Sequence, residues 1–145
     1  MRRTTTAAAL LAALALGLPA LTGCDQAKQA AGGIVSSATA AVASAAQQKM
    51  NEVKNGIDAK GDVTAGPTST DNDRTVATIT ATNPTGKAAD YTIWVNFRDK
   101  NGNLLDAVVL NIDGVGAGAA KSGTARSNRT LSGATKAEVA QALRH

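Results

Sequence analysis

The chain has 145 residues, a formal net charge of +4, and one each of tryptophan, tyrosine and phenylalanine. That length allows one ordinary domain beside an export segment, with a core resting on aliphatic side chains. Arg2 and Arg3 supply two of the positive charges, and the remainder lacks the concentrated basic face expected for nucleic-acid binding.

The N-terminus reads as an address. Arg2 and Arg3 form a short basic start, and residues Ala7 to Leu21 are apolar apart from Gly17 and Pro19. This run is shorter than the ~20 residues a permanent membrane-spanning helix needs. A basic start, a short apolar middle and small residues at the cut are the marks of a secretory signal. The run closes on Leu21-Thr22-Gly23-Cys24, whose Cys24 is the only cysteine, so no internal disulfide is expected. The tetrapeptide resembles the lipobox of bacterial lipoproteins: an aliphatic residue, a small or hydroxylated one, glycine or alanine, then the lipidated cysteine. The resemblance implies a cleaved signal peptide over 1–23. It also implies a diacylglyceryl thioether on Cys24, with attachment to the extracytoplasmic face of the cell membrane. A thiolate is a good nucleophile for such an alkyl transfer, and two acyl chains give the stable attachment that one does not. Thr4, Thr5 and Thr6 follow the arginine pair without the apolar positions of a twin-arginine signal, and the export route stays open.

Residues 24–61 are rich in Ala, Gln, Ser and Lys and read as a tether. Val35, Val42, Ala46, Met50, Val53 and Ile57 recur at helical spacing, with Asn55-Gly56 as a plausible stop. The apolar stripe is thin, so the tether is either a helical spacer or an unstructured linker. Docking of the stripe on the following domain is a third arrangement.

From Asp62 to His145 the pattern is that of a β domain. Gly66-Pro67 and Asp71-Asn72-Asp73 read as turns. Thr75 to Thr82 reads as a half-buried strand with Ala77, Ile79 and Ala81 on one side, ended by Asn83-Pro84-Thr85-Gly86. Tyr91, Ile93, Val95 and Phe97 alternate with Thr92, Trp94 and Asn96, the period of a strand with one buried face. Asp99 to Asn103 reads as a hairpin connection. A return strand runs from Leu104 to Ile112, with Leu104, Val108, Leu110 and Ile112 on one face and Asp106 interrupting it. Gly114 to Ala120 reads as a loop and Lys121 to Asn128 as a polar strand. In the last segment, Thr135-Lys136-Ala137-Glu138 suits a helix start, while Ala137, Val139, Gln141 and Leu143 alternate. A sandwich needs a closing strand, so a strand is expected.

The segments Thr80-Ala81-Thr82-Asn83-Pro84-Thr85, Ala89 through Asp99, and Asn101-Gly102-Asn103-Leu104-Leu105 resemble the FxLYD-type immunoglobulin-like domains of bacterial lipoproteins. Val115-Gly116-Ala117-Gly118 sits where those domains carry a Pro-Gly turn, with Ala117 in place of the proline. The resemblance covers about Asp62 to Arg144. It implies an all-β, immunoglobulin-like β-sandwich of seven or so strands and an extracytoplasmic life, and it brings no catalytic residues.

Sequence spacing offers little machinery for chemistry. His145 is the only histidine and the last residue, read as a free tail, so no His-centred dyad or triad is expected. Asp99, Asn101 and Asn103 open like a calcium loop, but Gly102 is misplaced and no Glu closes it. Lys121, Arg126, Arg129 and Lys136 read either as a basic patch for anionic lipid or wall polymer or as a solvated sheet edge. No enzyme activity, metal or cofactor is expected. The candidate partner contact is Trp94 with Thr92 and Asn96, on the outer face opposite Tyr91, Ile93, Val95 and Phe97. An aromatic among hydroxyls and amides suits a sugar ring or a protein anchor point. The plainer reading has the tether stripe or a loop covering it. The expected function is a lipid-anchored binding or structural module of the cell envelope, its partner an envelope protein or a cell-wall glycan. The alternative is an accessory subunit of an envelope complex or transporter that binds no ligand itself.

Overall fold

A computed structural model of the chain describes residues 37–134 and 136–145. Cys24 and the rest of the expected signal peptide and lipobox lie outside them. One helix, α1 (Ser37–Glu52), precedes seven strands: β1 (Ile57–Asp58), β2 (Val63–Asp71), β3 (Arg74–Thr82), β4 (Ala89–Arg98), β5 (Leu104–Val115), β6 (Ala120–Arg126) and β7 (Lys136–Arg144). A short 3-10 turn, Lys60–Asp62, links β1 to β2. The strands form two antiparallel sheets, β1-β7-β4-β5 and β2-β3-β6. The fold is the small all-β sandwich that the alternating segments call for, consistent with the immunoglobulin-like layout that the family resemblance implies.

The strongest alternation makes the centre of the larger sheet. Tyr91, Ile93, Val95 and Phe97 of β4 are all fully buried, and β4 is paired on both sides, with β5 and β7. The facing sheet answers these large side chains with small ones: Ala77 and Ala81 flank Ile79 on β3, and Ala125 lies on β6. Small residues opposite large ones let the layers close at interior packing density. Glycine serves the same closure at Gly123, where a Cβ would stand 3.0 Å from Leu110 Cδ1.

Two buried polar residues explain breaks in the apolar pattern. Asp106 pairs with Phe97 on the inner row of β5 and is buried. Its carboxylate accepts the backbone N–H groups of Asn128 (2.6 Å) and Ala107 (2.9 Å) and the Asn128 side-chain amide (3.2 Å). The acid therefore pins the β6–β7 connection, and its three donors offset the cost of burying it. Asn83, also buried, donates to the Lys87 and Val115 carbonyls and accepts from Thr85, which closes the β3–β4 turn.

Several expectations are corrected. Gly66-Pro67 is not a turn but lies inside β2, where the pairing with β3 shifts between Ala65 and Thr68. β2 borders only β3, and proline is tolerated at such an edge or bulge because no second neighbour needs its N–H. β5 continues past Ile112 to Val115, and the polar strand spans Ala120–Arg126. The contested last segment is a strand, its alternation meeting the open side of β4.

The tether's helical spacing is realised over α1 only. α1 ends at Glu52, and Asn55, at φ 57°, turns the chain from the helix into β1. Ile57, read into the stripe, instead pairs with Arg144 in β1 and is 60% exposed. The folded unit thus reaches back beyond Asp62, through β1 and the buried Ala59. α1 packs against β5 and β4, burying Thr39, Ala46 and Met50. Of these, Met50 contributes most, ~1.5–3 kcal/mol.

Candidate binding face

The second face of the larger sheet is where the candidate contact lies. Register sets Trp94 beside Val109 on β5 and Gln141 on β7, with Thr92 beside Asn111 and Asn96 beside Ala107. Trp94 is on the outer face, as alternation requires, but it is half-buried, and Thr92 and Asn96 are buried. Of the two arrangements the sequence allows, the patch is the covered one. The reason is α1, whose apolar side lies on this face.

The polar groups of the face satisfy one another. The Trp94 indole N–H donates to Asn96 Oδ1 at 2.8 Å. Thr92 Oγ1 lies 3.1 Å from His145 Nε2. His145 is no free tail, since its backbone N–H and carbonyl both pair with Asp90 at 3.0 Å. Two grooves flank the helix. One, of about 540 Å³, is lined by Lys49, Glu52, Thr92, Val109, Asn111 and His145 among others. The second, of about 280 Å³, includes Val42, Ala46, Lys49, Val109 and Asn128.

No family model matches the chain, and no curated protein or solved structure matches it.

The other singled-out residues serve the fold. Asp99 accepts from the Asn101 and Asn103 backbone N–H groups at 2.8 and 2.9 Å and from the Asn103 side chain at 2.9 Å. The Asn103 amide leads in holding the Asp99 carboxyl below its ordinary pKa. Its oxygens are thus engaged by the turn itself. No group of three His, Cys, Asp or Glu residues with metal-holding geometry occurs among the described residues. The basic residues do not form one free patch. Arg126 pairs with Asp71, Arg129 bonds Thr39 and the Leu105 carbonyl, and Lys121 donates to the Asp113 carbonyl.

Sequence reasoning missed a three-residue cluster at one end of the sandwich. The buried Tyr91 donates its phenol to Asp62 Oδ2 at 3.1 Å, and Arg144 Nη1 reaches the same oxygen at 2.7 Å. Burial pushes the Tyr91 phenol above its ordinary pKa. The Tyr91 hydroxyl, ahead of Asp62, raises that of Arg144. These residues join β4, β7 and the 3-10 turn ahead of β2, a structural clasp. Sequence separation hid it, since Asp62 stands 29 residues before Tyr91 and 82 before Arg144. Lys49, Asn111 and His145 were missed as lining residues for a similar reason: only the docked helix brings them together.

Proposed function

We propose that this chain is a lipid-anchored module of the bacterial cell envelope, held at the extracytoplasmic face of the membrane through Cys24. It acts by binding or scaffolding rather than by catalysis. The observation that carries the reading is Leu21-Thr22-Gly23-Cys24 at the end of a short apolar export segment, ahead of a compact β-sandwich. The anchor supplies the membrane as one partner, and two acyl chains suffice to hold it there. The second partner, an envelope protein or a cell-wall glycan, meets the outer face of the larger sheet. Trp94 is the anchor point there, with Thr92 and Asn96 beside it. Its N–H is already bonded to Asn96, so the ring face is what it offers.

The accessory reading, a subunit assisting an envelope complex or transporter without a ligand, draws on one observation: Thr92 and Asn96 are buried under the chain's own helix. Fractionation of cells expressing the chain and Cys24→Ser tests the anchor. The first is expected in membranes, and the second released or unprocessed. A pull-down with Trp94→Ala separates the two readings, since only a binding role for this face requires capture to fall.

A further inference from the structure

We infer that α1 is a displaceable strap over the outer face of the larger sheet, and that its release is what uncovers Trp94. The inference rests on the reading of Trp94 as a contact residue only for its purpose; the opening itself follows from how α1 is seated.

The seat is shallow. Of the sixteen residues of α1, Thr39, Ala46 and Met50 are buried, while Val42 and Ala43 are half-covered. Three of these five are alanine or threonine, which bury little apolar area. The grooves on either side reinforce the point. Lys49 and Val109 line both, so solvent-open grooves border the contact toward the C-terminal end of the helix. Atoms that border such grooves lack packing partners on that side.

The face beneath is mixed rather than apolar throughout: Ala107, Val109 and Leu143 share it with Thr92, Trp94, Asn96 and Gln141. Its hydrogen bonds run within the face, from Trp94 to Asn96 and between Thr92 and His145. Lifting α1 breaks neither bond. At the helix start, the Arg129 guanidinium donates to Thr39 Oγ1 at 3.0 Å and also to the Leu105 carbonyl. On release Arg129 keeps Leu105, so no buried cation is stranded.

Chain order gives the device its use. α1 lies between Cys24 and the sandwich, so a pull between anchor and partner acts on the helix before it reaches the strands. A ligand that binds only the uncovered face shifts the balance toward release by its differential affinity. Once lifted, a sixteen-residue helix lacking its packing face is marginal in water, so its amides lose protection.

Hydrogen exchange on the full-length chain tests this directly. Amides of Ala43 to Met50 are expected to be at least about tenfold less protected than those of Ile93 to Phe97, because they open without global unfolding. Equal protection in the two segments would overturn the strap. Trp94 is the only tryptophan, so its fluorescence supplies a second readout. Met50→Asp and Ala46→Asp are expected to raise iodide quenching while the β-sheet circular dichroism is kept. Unchanged quenching in both variants, with α1 unprotected, would show that α1 does not cover Trp94 and would overturn the proposal. Neither readout uses a partner, so failure of Trp94→Ala to alter capture counts against the contact role and not against the strap.

Discussion

Trp94 donates its indole N–H to Asn96, two residues along the same strand, at 2.8 Å. The bond joins two outer-face side chains of β4 and spends the only polar group of the ring. It also fixes the ring against the sheet, since a buried indole needs a partner for its N–H. Asn96→Ala removes that partner in a half-covered site. The expected cost is ~1–3 kcal/mol in urea unfolding, with a changed Trp94 emission maximum. Unaltered stability and emission would mean the bond does not form in solution.

Phe97 tests the core. It is fully buried and the only phenylalanine, facing a sheet whose inner side chains are mostly alanine. Phe97→Ala is expected to cost ~3–5 kcal/mol, from lost transfer energy plus a cavity its small neighbours cannot fill. Denaturant titration measures it. A loss under about 1 kcal/mol would mean that the layers collapse onto the space.

The strands legible in the sequence are those whose two faces differ chemically. β4 announced itself through Tyr91, Ile93, Val95 and Phe97 against Thr92, Trp94 and Asn96, and β3 through Ala77, Ile79 and Ala81. β7 was ambiguous because Thr135-Lys136-Ala137-Glu138 has local helix chemistry. The free side of β4 decides it, a tertiary demand that outweighs propensity. β2 was hidden by Gly66-Pro67, since a bulged edge strand and a turn use the same residues. The candidate site was half legible. Alternation gave Trp94 its face, but burial of Thr92 and Asn96 depends on a helix that docks from forty or more positions away in the chain. Spacing along β4 carries no trace of it.

The clasp of Tyr91, Asp62 and Arg144 predicts an alkaline limit. Burial raises the Tyr91 pKa above its ordinary 10.0 in the folded protein, so the folded state holds that proton more tightly than the unfolded chain. The resulting stability is fully present below about pH 10 and is lost as pH rises through the folded pKa. Urea midpoints taken from about pH 9 upward should fall more steeply for the natural chain than for Tyr91→Phe. At neutral pH the same variant should cost ~1 kcal/mol for the bond to Asp62. Parallel pH profiles would contradict the clasp.

The β4–β5 hairpin predicts an acid effect of opposite sign. Asn103 and neighbouring backbone N–H groups hold the Asp99 carboxyl below its ordinary 3.8. Its contribution is present above that value and lost as pH falls through the folded pKa. In Asn103→Ala the Asp99 carboxyl should titrate at higher pH, read by carbon NMR of the side chain. A midpoint no higher than in the natural chain would assign the shift to the backbone donors alone.

The central claim is the anchor, and intact-protein mass spectrometry of the mature N-terminus addresses it most directly. The account predicts a chain that begins at Cys24 and carries the mass of a diacylglyceryl thioether. A chain cut elsewhere, or one beginning with an unmodified Cys24, would contradict it.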